Sequence, residues 1–231
     1  MEKTATSRVE ITRPNADLAE LQRTFDGIPR DPYLKVGVRH RTQSRFRYEP
    51  DRLVLLDRVD LYQSSDINPL EQYGGIVRTY PDMPAWVQTS PAFRAFIDHW
   101  LSLLPVPVTE FSAHQIRTVG DGSPVPEGRH RDGYEFVAVF VAKRHGITAD
   151  CARTTVWDAA TDERIIDEVV LDDGEMVTFD DRLVLHDVSP LVPAGDVADA
   201  YRDVIILTYP DHSKTLEHGK VVTSAQEGDP R

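Results

Sequence analysis

Three side chains in this sequence could hold a metal ion that must keep positions open. His130-Arg131-Asp132 offers an imidazole and a carboxylate two residues apart, and His186 lies far downstream in the apolar run Leu183-Val184-Leu185-His186-Asp187-Val188. Alternate residues of a strand point to one side, so the first pair can converge on a single ion. Two imidazoles and one carboxylate on one face of iron(II) leave the other face free, which is the donor set of non-haem iron oxygenases. The dyad alone carries little weight. With 8 histidines and 38 acidic residues in the chain, about one His-x-Asp or His-x-Glu arises by chance.

Its surroundings add the weight. Arg202 opens the run Arg202-Asp203-Val204-Ile205-Ile206-Leu207, and a guanidinium leading into so apolar a strand is costly to bury unless an anion meets it. Its planar fork suits a carboxylate held through two parallel hydrogen bonds, such as the distal carboxylate of 2-oxoglutarate. A His-x-Asp dyad, a distant strand histidine and a downstream strand arginine together point to Fe(II), with 2-oxoglutarate as co-substrate and O2 as oxidant.

The elements that must position these residues are mostly short strands. Ser112–Val119, Glu135–Ala142, Thr154–Trp157, Arg164–Leu171, Glu175–Phe179, Leu183–Val188 and Arg202–Tyr209 are rich in Val, Ile, Thr and aromatics. Gly, Pro and Asp separate them, as in Asp121-Gly122-Ser123-Pro124. That spacing predicts an antiparallel sandwich or barrel. Before it, residues 1–105 mix helical signals with irregular stretches. A helix is expected over Pro91–Leu104, capped by Ser90, with Phe93, Phe96, Ile97, Trp100, Leu101 and Leu104 on one stripe. A second is expected over Ala16–Phe25, with Asn15 as cap and Gly27 as stop. The whole chain, 1–231, reads as a single domain, and the polar tail 213–231 is expected to fray.

Composition narrows the partners. The 231 residues carry 26 basic and 38 acidic side chains, a formal charge of −12. Coating a phosphate backbone needs a field of Lys and Arg, so no nucleic acid is expected as partner. Arg39, Arg41, Arg45 and Arg47, interleaved with Phe46 and Tyr48, are therefore read as a solvated strand face or a pocket lid. No apolar run is long enough to cross a bilayer, and Met1 to Asn15 lacks the apolar core of a signal peptide. The single cysteine, Cys151, can form no intramolecular disulfide, which suits a cytoplasmic protein. It is read as inert.

At the residues singled out above, the chain resembles the bacterial free L-amino-acid hydroxylases, a family of Fe(II)/2-oxoglutarate-dependent dioxygenases. The resemblance is carried by Pro124-Val125-Pro126-Glu127-Gly128-Arg129-His130-Arg131-Asp132-Gly133, by His114-Gln115-Ile116-Arg117, by Leu185-His186-Asp187-Val188 and by Tyr201-Arg202-Asp203-Val204. It covers roughly residues 70–210, and Gly74-Gly75-Ile76-Val77-Arg78 adds a fragment in the first part. It implies iron on His130, Asp132 and His186, 2-oxoglutarate on Arg202, and a double-stranded β-helix (jelly-roll) core with N-terminal helices packed on it. It also implies a small-molecule substrate, a free amino acid, oxidised at an unactivated C–H bond with release of succinate and CO2. Desaturation or cyclisation by the same chemistry is the alternative outcome.

Four further residues are candidates for substrate binding. Gln115 and Arg117 share one face of a predicted strand and are read as holding a carboxylate, the alternative being a polar outer face with Ile116 inward. Tyr134 has the parity of Asp132 and should line the pocket, unless Gly133 introduces a bulge. Glu135 could meet a substrate ammonium or be a solvated carboxylate. Thr155 and Trp157 fall on a strand passing near the site, with Trp157 read as core. His40, His99, His114, His145, His212 and His218 show no ligand pattern. Two other functions share this fold. A cupin-like metal enzyme would need no Arg202 and normally carries His-x-His, which is absent. A binding module without chemistry would gain little from burying these groups.

Overall fold

The alternation in the second half of the sequence becomes two antiparallel sheets facing each other. The computed structural model describes residues 9–195, 197 and 199–213. In chain order the elements are β1 (Val9–Thr12), α1 (Leu18–Arg23), β2 (Val38–Tyr48), β3 (Leu53–Leu55), β4 (Leu61–Tyr62) and β5 (Val77–Arg78). A 3-10 helix (Ala85–Thr89) and α2 (Pro91–Leu103) follow. Then come β6 (Glu110–Val119), β7 (Phe136–His145), β8 (Arg153–Asp158), β9 (Arg164–Val170), β10 (Met176–Asp180), β11 (Val184–Val188) and β12 (Tyr201–Tyr209).

The large sheet has the order β1-β10-β7-β12-β6-β2-β3, and the small one β11-β8-β9. β4 and β5 form a separate ribbon. This mainly β arrangement with few helices is the jelly-roll core the sequence predicts. Each of the seven strands expected after residue 105 is present. The large sheet also draws β1, β2 and β3 from the first 105 residues, so that region supplies core strands as well as helices. The tail from residue 214, with His218, lies outside the described residues.

Period-2 alternation assigns each face of the large sheet to a different task. Phe111 and Ala113 of β6, Ala138 and Phe140 of β7, and Ile205 and Leu207 of β12 pack with Phe93, Phe96, Ile97 and Trp100 of α2. Ser90 caps α2 by accepting the Phe93 N–H at 3.0 Å, and Pro91 begins it. α1 is shorter than expected, and its cap is Asp17, which accepts the Glu20 N–H at 3.2 Å, rather than Asn15. The other face turns Ile116, Val137, Val141 and Val204 toward Val156 and Val184 of the small sheet. A cavity opens between the sheets on this side.

Candidate active site

The His130–Asp132 segment and β11 are joined by their backbones. The His130 N–H donates to the His186 carbonyl (3.0 Å) and the His186 N–H to the His130 carbonyl (2.9 Å). The dyad thereby lies against β11 on the side away from β8, and the two imidazoles come to 4.4 Å between ring centroids. Both histidines reach the same carboxylate. His130 Nε2 is 3.4 Å from Asp132 Oδ1 and His186 Nε2 is 3.4 Å from Asp132 Oδ2. One ligand atom from each residue lies within 4.8 Å of the others. Ligands at right angles on a first-row metal, each ~2.1 Å away, sit roughly 3 Å apart, so an ion fits with little adjustment.

The donor set has the electronic features of a metal site. The carbonyl of Gly128 lies 2.9 Å from His130 Nδ1 and so takes its N–H, which leaves the Nε2 lone pair facing Asp132. His186 Nε2 is buried and has no hydrogen-bond partner among the described residues. Burial opposes charge on His186, yet Asp132 and Asp181 outweigh it and raise its pKa to about 10. For Asp132, burial is likewise outweighed by the two imidazoles, which hold its carboxyl well below the usual range. This concentration of negative charge is compatible with a divalent cation, and the trio fits iron(II).

Asp181, in the turn between β10 and β11, holds the trio in shape. It is 1% exposed, and its carboxylate accepts the backbone N–H groups of Asp132 (3.2 Å), Gly133 (2.8 Å) and Tyr134 (3.0 Å). Gly133 turns the chain there with φ +89°, a conformation that favours glycine. Gln63 adds a bond from its amide to the Asp132 carbonyl (3.2 Å) and accepts one from Arg78 (2.6 Å). No sequence spacing marks Asp181 out among so many acidic residues. Arg78 belongs to the family-like Gly74–Arg78 fragment, which offered a signal.

Arg202 faces the same cavity from β12. It is 3% exposed, and its Nε and Nη2 are buried without a hydrogen-bond partner among the described residues. Burial first, and then the neighbouring charge of Arg144, lowers its pKa to about 10. Such a guanidinium calls for an anion.

The four residues read as substrate contacts separate. Tyr134 lines the cavity, the turn at Gly133 notwithstanding. Gln115 does not: fully buried on the opposite face, it accepts from Thr42 Oγ1 (2.7 Å) and donates to Thr24 Oγ1 (2.6 Å). Arg117, on that same face, forms a two-pronged ion pair with Asp203, both bonds 2.7 Å. Parity on β6 thus runs the other way, and His114, Ile116 and Thr118 line the cavity. Glu135 points away and pairs with Arg182 at 3.2 Å. Trp157 is partly exposed rather than core, with the Arg129 guanidinium 4.5 Å over its ring.

Of the two readings of the β2 arginines, a solvated face or a pocket lid, the structure departs from the first. Arg39 is 5% exposed and lines the cavity with Arg41, while Phe46 enters the helix-side core and only Arg47 of this series is exposed. Arg78, 1% exposed, lines the cavity too. Among the remaining carboxylates, Glu127 faces it, accepting from Asn68 at 3.3 Å and lying 3.8 Å from His130 Nε2. Cys151 is buried and free.

The chain matches the 2OG-Fe dioxygenase family over residues 22–208. No match was found among curated proteins. Among solved structures, it is similar to a bsmA homolog from Methylobium petroleophilum PM1, with 25% identity, a TM-score of 0.69, and coverage of 85% of this chain and 83% of that one. IDO from Bacillus thuringiensis shares the fold at 17% identity and TM-score 0.64, over 83% of this chain and 84% of that one. The Fe(II)/(alpha)ketoglutarate-dependent dioxygenase TqaL does so at 17% and 0.61, over 87% and 82%. With the match spanning both halves of the cavity and every residue of the His-Asp-His trio, the chain belongs to the 2OG-Fe dioxygenase family, whose members use Fe(II), 2-oxoglutarate and O2.

Proposed function

We propose that the protein oxidises an unactivated C–H bond of a free amino acid or similar small zwitterion, with His130, Asp132 and His186 holding iron and Arg202 holding 2-oxoglutarate. The observation that carries this reading is an unpartnered, buried Arg202 facing the same cavity as the His-Asp-His trio. When bound, the iron supplies oxygen activation coupled to decarboxylation of 2-oxoglutarate, which yields succinate and CO2.

The chain's own part is placement. The Gly128 carbonyl and the Asp181 carboxylate fix the ligand side chains before the ion arrives. Arg202 fixes the co-substrate's far carboxylate and so its direction of approach. Ile116, Val139, Val204 and Ile206 give the cavity an apolar wall against which an aliphatic side chain can pack, excluding water from the reacting bond. Tyr134 stays protonated, because burial raises its pKa, and can donate a hydrogen bond inward.

Two experiments test this. Mixing protein with Fe(II) and 2-oxoglutarate without oxygen should give a weak visible band, and its absence from folded protein would count against the site. His186→Ala should abolish succinate formation while circular dichroism stays unchanged; retained turnover removes His186 from the ligand set. A mass-spectrometric screen of amino acids then separates hydroxylation, a gain of about sixteen mass units, from desaturation or cyclisation, a loss of about two.

A further inference from the structure

We propose that Arg41 and Arg78 form a second anion receptor in the cavity, one that takes a carboxylate of the primary substrate and is distinct from the Arg202 pole. This rests on the oxygenase reading above and deepens it, since it makes the carboxylate a required feature of the substrate.

Several buried polar groups on this side of the cavity are left without partners. The Arg41 guanidinium makes no hydrogen bond or ion pair among the described residues; it sits 4.4 Å over the Tyr80 ring with its Nε buried and unpartnered. Arg78 is 1% exposed and donates from Nη2 to Gln63, but its Nε is also unpartnered. Its guanidinium lies 5.0 Å from the centroid of Tyr73, whose own hydroxyl is buried and unpartnered. Burial raises the Tyr73 pKa to about 12, so it remains a donor. Asp31 acts on Arg41 electrostatically, yet it accepts from the Tyr33 N–H and lies within ion-pair distance of neither arginine. Arg39 also has an open Nε, but its Nη2 is committed to two backbone carbonyls, of Ser123 and Pro124, and it lies in the Arg202 row of the sheet. An unpartnered fork on Arg41, the open Nε of Arg78 and a phenol are costly to bury empty, and a carboxylate can accept from all three.

Register separates this receptor from Arg202. Arg202 and Arg39 flank Thr118 in one row across β12, β6 and β2, whereas Arg41 lies in the next cavity-facing row, opposite Ile116 and Val204. Two strand spacings put the β2 and β12 backbones about 10 Å apart, so the two guanidiniums enter the cavity from separate origins. The charge acting on Arg202 is that of Arg144, whereas Arg41 feels Asp31 and itself acts on Arg78. Glu127 lines the same cavity and supplies a carboxylate that an ammonium can meet.

The test adds each protein amino acid, and separately its carboxamide, to the anaerobic Fe(II)–2-oxoglutarate protein, reading the visible band and then succinate release in air. At least one acid should bind and promote release, and its carboxamide should be at least tenfold weaker. Arg41→Met should raise the half-saturating concentration of that acid at least tenfold while changing that of 2-oxoglutarate less than threefold; Arg202→Met should do the reverse. Arg41→Lys keeps the charge and loses the fork, so it should fall between wild type and Arg41→Met. Equal binding of acid and carboxamide, or an Arg41 effect confined to 2-oxoglutarate, overturns the receptor. So does failure of every acid to bind. If the band still forms with iron and 2-oxoglutarate alone, the oxygenase reading survives that failure.

Discussion

The two faces of the large sheet bury polar groups in opposite ways. On the helix-packed face, Gln115 is saturated by Thr24 and Thr42, and Arg117 closes on Asp203. On the cavity face, Arg202, Arg41 and Arg78 keep donors with no partner among the described residues. Arg41 and Arg202 share the large sheet with the paired groups, one residue from Thr42 on β2 and from Asp203 on β12, and Arg78 faces the same cavity from the β4–β5 ribbon. Buried polar groups that serve the fold are paired within the chain, because an unpaired one costs stability. Single open donors such as Trp100 Nε1 occur in the core as well, but the open guanidinium donors on Arg41, Arg78 and Arg202 face one cavity, where a ligand can complete the pairing.

Substitution should separate the faces. Arg202→Met should cut kcat/KM for 2-oxoglutarate about 100-fold, in keeping with loss of a charge-assisted two-pronged contact, and leave the melting temperature level or higher. A large fall in melting temperature would make the cavity face structural and dissolve the contrast. Arg117→Met strands the buried Asp203 carboxylate, so urea unfolding should show a loss of about 2–3 kcal/mol, reduced from the fully buried case because Arg117 is 24% exposed. Half-saturation by 2-oxoglutarate should not move in that variant. Gln115→Leu leaves two threonine hydroxyls short of a partner and should cost about 1–2 kcal/mol; a change in substrate preference instead would return Gln115 to the site.

The smallest effect concerns pH. His212 is buried between Ser112 and the Val59 carbonyl, and burial above all lowers its pKa to about 4. The unfolded chain takes up a proton near pH 6.5 that the folded chain refuses, so this contribution is full above that pH and is lost as pH falls toward 4. Between pH 6.5 and 5.5 it should amount to about 1 kcal/mol. His212→Gln should flatten that slope in paired urea titrations, and an unchanged slope would assign it to other groups.

Much of this was legible in the sequence because it rests on periodicity. Apolar alternation located the seven strands from β6 to β12, and Ser90-Pro91 with its apolar stripe located α2. The trio was legible from its setting, since the dyad alone is a chance-level match and His186 in an apolar strand with Arg202 beyond it gave it weight. Parity on β6 was not legible, since Gln115 and Arg117 on one side and His114, Ile116 and Thr118 on the other are both mixed polar patterns. β2 was left open for a related reason: arginines at alternate positions fit a solvated face as well as a pocket lid, and nothing local tells that Arg39 and Arg41 line the cavity. Asp181 was silent because its role depends on three backbone amides, and backbone amides have no sequence signature.

Asp181 also bears on the order of events when metal arrives. Its carboxylate grips three successive amides in the turn carrying Asp132, while the ladder between His130 and His186 ties that turn to β11. These are bonds of the chain to itself, so they position the ligand set without drawing on the ion. The amide protons of Asp132, Gly133 and Tyr134 should therefore exchange slowly with deuterated solvent even in metal-free protein, and Asp181→Asn should speed their exchange more than that of α2.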